Sequence, residues 1–196
     1  MTLYCATSNE GKLREFRAAS GADLEILPLP DLRTIDPPEE SGLTFEENAI
    51  LKALYYGAHM PKEDRGAYLF AEDSGLEVDD LCGDPGVYSA RYAGPDATDE
   101  ANNQLLLERL AHSTDRAGRY VCVIALVKDG ELVNTFRGTV EGEIVTEPKG
   151  SGGFGYDPLF YYPEFGMTFA EVPAERKAQV SHRAQALAAL FSFLRK

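Results

Sequence analysis

Two apolar runs on either side of a short turn place the strongest constraint on how this chain can fold. Residues 120–127 and 132–140 have the β-branched and aromatic content of strands, and Asp129-Gly130 lies between them. An Asp-Gly pair favours the positive φ angles of a two-residue hairpin, so the sequence predicts two neighbouring antiparallel strands. Because helix and strand patterns are interleaved elsewhere, we expect an α/β fold with a mixed sheet rather than a purely parallel one.

Strand and helix patterns alternate along the rest of the chain. Further strands are expected at residues 3–6, 24–27, 68–71 and 159–162. Helices are expected after Lys12, Thr44, Thr98 and Ser181, where apolar side chains recur at helical spacing. Thr44 and Glu47 have the spacing of a capping box. At 196 residues and 44% hydrophobic content, the chain suits one domain, residues 1–196, with two lobes.

The charge of the chain limits the partners that it can have. The net charge is −13, from 32 acidic and 19 basic residues, and a non-specific nucleic-acid binder would normally present a basic face. A small anionic substrate stays possible if a few basic residues and a metal ion neutralise it locally. No stretch reaches the roughly 18 apolar residues that span a bilayer. We therefore expect a cytoplasmic protein with neither nucleic acid nor membrane as partner.

A glycine-rich segment, residues 150–158, is the first candidate for a ligand site. It places four glycines beside Phe154, Tyr156 and Asp157. Glycine allows close approach of the backbone to a ligand, and an aromatic ring can lie against a flat base. The segment formally matches the dinucleotide-binding fingerprint, but residues 147–149 do not read as a buried strand and no helix follows. A base-binding loop and a plain turn are the interpretations that stay open.

The segment from Thr7 to Lys12 joins a predicted strand to a predicted helix. Amides at a helix N-terminus attract anions, and Lys12 would add a point charge for phosphate. The alternative is an ordinary N-cap by Thr7, Ser8 or Asn9 with Lys12 in solvent. His182 and Arg183 begin the last predicted helix, where His182 could donate to a base or a phosphate and Arg183 could stack on a base or bind in a forked manner. Ser181 before them is a sound N-cap in either case.

Glu72 and Asp73 directly follow the apolar run 68–71, so they are expected at the end of a strand. Mg²⁺ prefers oxygen ligands and usually takes one or two carboxylates together with substrate phosphates. Further acidic pairs, residues 39–40 and 46–47, could converge on this position. The alternative for most such pairs is a solvated surface. Asp73 differs, because an exposed position after an apolar run needs a reason.

Taken in order, these segments resemble the inosine triphosphate pyrophosphatase family, which acts on non-standard purine nucleoside triphosphates. The resemblance spans about residues 2–194. The matching segments are residues 7–12, 42–53, 71–76, 85–92, 152–158 and 181–184. The resemblance implies hydrolysis of ITP, dITP and XTP to the monophosphate and pyrophosphate, with Mg²⁺, by a homodimer. It also implies an elongated mixed sheet flanked by helices, with two lobes and a central cleft.

The resemblance assigns roles to residues of this chain. Asp73 would be the general base and a metal ligand, and Glu39 and Glu72 would complete the metal site. Many members have two aspartates where this chain has Glu72-Asp73, which affects the metal geometry at the first position. The substrate-binding residues that it implies are Thr7, Ser8, Asn9, Glu10, Gly11, Lys12, Ser74, Phe154, Gly155, Tyr156, Asp157, Lys177, His182 and Arg183.

Two other functions are compatible with the same motifs. A Maf-type pyrophosphatase would act on pyrimidine or modified nucleotides, but the segments at 152–158 and 181–184 favour a purine substrate. A non-catalytic nucleotide sensor would bind without turnover, and the intact Asp73 in its acidic surroundings speaks against it. Release of pyrophosphate from ITP separates an enzyme from a sensor.

Overall fold

The computed structural model describes residues 2–20, 24–61, 64 and 66–195. Within these residues there are seven strands: β1 Thr2–Cys5, β2 Glu25–Pro28, β3 Tyr68–Val78, β4 Ala117–Lys128, β5 Glu131–Ile144, β6 Phe160–Tyr162 and β7 Met167–Thr168. The same residues form five α-helices: α1 Glu10–Ser20, α2 Phe45–Ala58, α3 Asp99–Arg109, α4 Ala174–Val180 and α5 His182–Leu194.

The strands form a single mixed sheet, as the sequence predicts. Their order is β2-β1-β3-β4-β5-β6-β7. β1 pairs in parallel with both β2 and β3, whereas β6 pairs antiparallel with β5 and β7. The predicted hairpin joins β4 to β5, and its turn residues Asp129 and Gly130 both have positive φ, 53° and 80°. These are the angles that a two-residue hairpin turn requires.

The expectation that a strand ends at Glu72-Asp73 is wrong. β3 continues to Val78, so both carboxylates lie in the middle of a strand and are buried. The strand continues because Leu76 and Val78 have an apolar core to cover. Gly75 is not a turn residue here. A Cβ at this position would lie 2.7 Å from the Gly86 carbonyl oxygen, so glycine is needed for a close backbone approach.

The chain divides into two compact units. Unit 1 comprises Met1–Asp73, Cys122–Gly138 and His182–Lys196, and unit 2 comprises Ser74–Val121 and Thr139–Ser181. In unit 1, buried side chains of β1, β3 and β4 pack with helices α1 and α5, and Phe16 meets Phe70 edge-on at 5.1 Å. Cys5 and Cys122 lie in this core as free thiols.

Unit 2 has its own core. Aromatic side chains dominate it, with Tyr120 and Phe160 at a ring-centroid distance of 4.5 Å and Phe160 and Phe169 at 5.0 Å. Leu106 and Leu110 of the α3 region are fully buried in the same cluster. In the described ranges, none of the helices combines the length and the apolar character that crossing a membrane would require.

Gly138 of β5 lies where the backbone of α5 packs closely against this strand. A Cβ at this position would overlap the carbonyl oxygen of His182 and lie 2.6 Å from the Ala186 nitrogen. Because both atoms belong to helix backbone, neither can move aside cheaply. Gly138→Ala is expected to lower the free energy of unfolding by about 1–3 kcal/mol, measured by urea denaturation. Arg137→Ala, at the exposed neighbouring position, is the control, and equal stability of the two variants would contradict this packing.

Candidate active site

The centre of the candidate site is the carboxylate pair Glu72-Asp73 in β3. The Lys12 ammonium lies 2.6 Å from the Oε1 atom of Glu72, and only 2% of the Glu72 side chain is exposed. The thiol of Cys122 is 3.9 Å from the Oε2 atom of Glu72. Both oxygens of this buried carboxylate therefore have protein partners.

Lys12 reaches Glu72 because of how helix α1 begins. The Asn9 side chain accepts a hydrogen bond of 3.0 Å from the Lys12 backbone N–H, as an N-cap residue does. This cap places Lys12 in the first turn of α1. The structure thus combines the two interpretations of the segment: an ordinary cap is present, and Lys12 is held over a strand carboxylate rather than in solvent.

Asp73 is held from helix α2. The Lys52 ammonium lies 2.7 Å from Oδ1 of Asp73 and 3.1 Å from Oε1 of Glu40, so it bridges two carboxylates. The buried amide of Asn48 donates to Oδ2 of Asp73 at 3.3 Å and accepts from the Gly42 N–H at 2.8 Å. The predicted Thr44 capping box is present, and α2 begins directly after it at Phe45. Asn48 and Lys52 are four residues apart in this helix and therefore lie on the same face.

The two neighbouring carboxylates differ in acidity. Burial would raise the pKa of Glu72, but the charges of Lys12, Arg183 and Lys52 outweigh it and lower this pKa to about 2. Burial raises the pKa of Asp73 above its ordinary value, and the negative charge of Glu72 adds to the rise against the opposing effect of Lys52. Burial would lower the pKa of the Lys52 ammonium, but the carboxylates of Asp73, Glu72 and Glu40 outweigh it and raise this pKa. Glu72 is therefore anionic at neutral pH, and Asp73 is the more readily protonated of the two.

Arg183 and His182 lie in unit 1, at the start of α5, and both are buried. The Arg183 guanidinium donates to Oε2 of Glu15 at 2.7 Å. Burial would lower the pKa of the Arg183 guanidinium, but the charges of the Glu15 and Glu72 carboxylates outweigh it and raise this pKa. Arg183 thus belongs to the same charged cluster as Lys12 and Glu72.

The remaining residues of the first predicted segment lie nearer the surface. Ser8, Asn9 and Glu10 are exposed, while Thr7 and Gly11 are half-buried. Thr7, Ser8 and Glu10 line a cavity of about 390 Å³, and Arg33 on its wall pairs with Glu10 at 3.1 Å. Ser74 is half-buried in β3. Glu39 is exposed, whereas its neighbour Glu40 reaches Lys52.

The glycine-rich segment forms a separate cluster in unit 2. The Asp157 carboxylate lies 2.6 Å from the Lys177 ammonium, 3.0 Å from the Phe154 N–H and 3.3 Å from the Tyr120 hydroxyl. The ammonium also lies over the Phe154 ring, 5.2 Å from its centroid. Tyr156 is buried, and its hydroxyl donates to the Ser89 carbonyl oxygen at 2.8 Å. Asp157, Lys177 and Tyr156 hold the segment in one conformation.

The Asp73 end of the cluster fits a magnesium ion that arrives with substrate. Lys52 already shows that a cation can sit between Asp73 and Glu40. In the part of the chain that the structure describes, no three carboxylate, imidazole or thiol groups form a complete metal cage. Mg²⁺ commonly binds through one or two carboxylates and substrate phosphates, so this donor set suits it.

Sequence reasoning missed the residues of α2. Asn48 and Lys52 lie one turn apart beside the buried Ala49 and Ala53. Two polar residues at helical spacing next to an apolar stripe are a signal that they face a charged site, and this signal was available in the sequence.

The described geometry is that of an α/β protein with a buried cluster of acids and cations on a central strand. The chain belongs to the Ham1 family, the inosine triphosphate pyrophosphatase family, because that family matches residues 3–193. This match confirms the resemblance drawn from the motifs.

Named relatives cover nearly the whole chain. The dITP/XTP pyrophosphatase of Acidobacterium capsulatum is 51% identical over 99% of this chain and 98% of its own. The structure of the Staphylococcus aureus Ham1 protein has a TM-score of 0.86 at 41% identity, covering 100% of this chain and 98% of that one. The nucleoside-triphosphatase, or dITP/XTP pyrophosphatase, of Mycobacterium abscessus has a TM-score of 0.75 at 39% identity, covering 97% and 98%.

The low pKa of Glu72 makes a prediction about acid stability. A carboxylate whose pKa falls from 4.5 unfolded to about 2 folded stabilises the protein above pH 4.5 and loses this effect as the pH falls through about 2. Its contribution at neutral pH is about 3 kcal/mol. The difference in unfolding free energy between wild type and Glu72→Gln should therefore narrow by about 2 kcal/mol from pH 7 to pH 3.

Denaturant titrations at the two pH values measure this difference. Glu143→Gln removes an exposed carboxylate from another strand and is the matched control. A pH-independent difference for Glu72→Gln would show that Glu72 is not the anion of a buried pair.

Proposed function

We infer that this chain is a nucleoside-triphosphate pyrophosphatase that hydrolyses dITP, XTP and ITP to the monophosphate and pyrophosphate. Relatives named for dITP and XTP match it over almost its full length. The observation that carries the mechanism is the cluster in which Lys12 and Lys52 lie on Glu72 and Asp73. Such a cluster offers cations for the phosphates and a carboxylate for a water molecule. The reaction clears non-standard purine nucleotides from the nucleotide pool.

Two lysines are positioned for the triphosphate. Lys12 stands at the N-terminus of α1, where the Thr7–Lys12 segment adds backbone N–H groups and the favourable end of the helix dipole. Lys52 shares its charge between Asp73 and Glu40 and can turn from them toward a phosphate oxygen. Phosphoryl-transfer catalysis depends mainly on positioning and on charge stabilisation, which these groups supply.

Asp73 acts as the general base. Its raised pKa brings a carboxylate closer to the pH at which proton transfer is effective. The carboxylate accepts a proton from a water molecule whose oxygen bonds to the α-phosphorus. The bond between this phosphorus and the bridging oxygen breaks, and pyrophosphate leaves with the electron pair.

Mg²⁺ would be held by Asp73 and Glu40, and when bound it neutralises charge on the phosphate oxygens. We favour Glu40 over Glu39 as the second carboxylate ligand, because the carboxylates of Glu40 and Asp73 both contact the Lys52 ammonium. Glu72 is engaged by Lys12 and acts by fixing that lysine. Metal binding by Glu39 and Glu72 stays a sequence prediction that this geometry does not favour.

Base recognition is assigned to Phe154, Gly155 and Tyr156 in unit 2. A role of His182 and Arg183 in base recognition stays a prediction of the family resemblance. Inosine and xanthosine carry an oxygen at C6 where adenine carries an amine. Hydrogen-bond donors at that edge would face the adenine amine without acceptors, a mismatch that can support discrimination of about 10⁴–10⁵-fold.

Asp157 and Lys177 are assigned a structural role in the substrate-binding loop. Asp157 and Lys177 act by holding the loop, since each is the other's ion-pair partner. Homodimeric assembly and a cytoplasmic location stay predictions that depend on the family resemblance.

Asp73→Asn tests the base directly. Loss of the proton acceptor should lower kcat for ITP by about 10²- to 10⁴-fold while the fold is kept, measured as pyrophosphate release. Glu77→Gln, on the same strand beside Arg119, is the control and should keep its activity. An Asp73→Asn variant with near wild-type turnover would remove Asp73 from the reaction, and a wild type that binds ITP without releasing pyrophosphate would indicate a sensor.

Neighbouring glutamates separate the two proposals for the metal site. Glu40→Gln should raise the Mg²⁺ concentration needed for half-maximal activity by about tenfold or more, since one of two carboxylate ligands is lost. Glu39→Gln should leave it unchanged. Magnesium titrations of ITP hydrolysis measure both, and the reverse order would restore Glu39 as the ligand.

A further inference from the structure

We propose that Asp99 and Asn103 of α3 are positioning residues for base discrimination, because together they hold both backbone groups of Gly155. Oδ2 of Asp99 accepts a hydrogen bond from the Gly155 N–H at 2.6 Å. The Asn103 side-chain amide donates to the Gly155 carbonyl oxygen at 2.9 Å. The proposal depends on the proposed function, in which the segment around Gly155 contacts the base.

The helix itself sets this geometry. The Thr98 hydroxyl accepts from the Ala101 N–H at 3.2 Å and so begins α3 at Asp99. Residues four apart lie on the same helical face, which brings the Asp99 and Asn103 side chains to one residue of the loop. Asp99 adds its negative charge to the helix N-terminus, where it is favourable.

The two hydrogen bonds to Gly155 also orient backbone groups of its neighbours in the chain. A peptide group is planar, so a bond to the Gly155 N–H also sets the direction of the Phe154 carbonyl in the same plane. A bond to the Gly155 carbonyl sets the direction of the Tyr156 N–H in the following plane. The two side chains of α3 therefore orient an acceptor and a donor of the proposed base-binding segment.

Gly155 needs this restraint more than its neighbours do. Its φ of 62° lies in the left-handed region that only glycine adopts freely, and glycine also has the greatest freedom to leave it. The residues on either side are fixed by other partners, since Asp157 holds the Phe154 N–H and the Tyr156 hydroxyl is bonded to Ser89. Asp99 and Asn103 supply the bonds at the glycine between them.

The test measures discrimination between nucleotides. We expect Asp99→Ala and Asn103→Ala each to lower the ratio of kcat/KM for ITP to that for ATP by roughly tenfold, the scale of one hydrogen bond. Asp99→Asn keeps an acceptor oxygen and should recover most of the ratio. A purely structural role would change activity toward both nucleotides together and leave the ratio unchanged.

Matched controls lie next to each residue on α3. Glu100→Ala also removes an acid from the first turn, and Gln104→Ala removes an exposed amide that bonds to Glu108 instead of the loop. Both controls should keep the wild-type ratio. If either test variant fails to fold, the other and Asp99→Asn still decide the result.

The outcomes distinguish failure of the proposed function from failure of the positioning role. Wild type that releases no pyrophosphate from ITP contradicts the proposed function. Wild type that does so, with unchanged ratios in both Asp99→Ala and Asn103→Ala, contradicts the positioning role alone.

Discussion

The structure of unit 1 depends on two adjacent carboxylates inside one strand, each neutralised by its own lysine. Glu72 and Asp73 are both buried, and successive side chains of a strand point to opposite faces of the sheet. A buried carboxylate without a partner costs several kcal/mol. Two helices are therefore needed, and α1 supplies Lys12 while α2 supplies Lys52.

The same arrangement explains how an acidic chain can bind an anion. The net charge is −13, yet three cations surround Glu72 of β3, namely Lys12, Lys52 and Arg183. Each is held by carboxylates that fix its position. Because Arg183 and Lys12 both act on Glu72, the starts of α1 and α5 are linked through one charge. In the proposed function, this organisation of the cluster before substrate binds would lower the cost of binding a triphosphate.

Features with local causes were predictable from the sequence. The Asp129-Gly130 turn, the Thr44 capping box and the cap before Lys12 each depend on a few neighbouring residues, and all are present. The continuation of β3 past Asp73 was not predictable, because it depends on a core in unit 2 and on the close approach at Gly75.

The candidate site was predictable in its residue types more than in its partners. Motif resemblance selected Lys12, Asp73 and the 154–157 segment. It assigned Glu39 to the metal site, an assignment that stays a prediction, and the contact between Glu40 and Lys52 depends on the packing of α2. It likewise gave no reason to single out Asp99, whose bond to Gly155 joins positions 56 residues apart.

One strand of unit 1 holds Glu72, which is anionic at neutral pH, next to Asp73, which protonates more readily. Carboxyl ¹³C shifts of these two residues, followed by NMR across a pH titration of the intact protein, measure this directly. We expect a midpoint of about 2 for Glu72 and a midpoint for Asp73 above the ordinary value of 3.8. Two ordinary midpoints, or the reverse order, would contradict it.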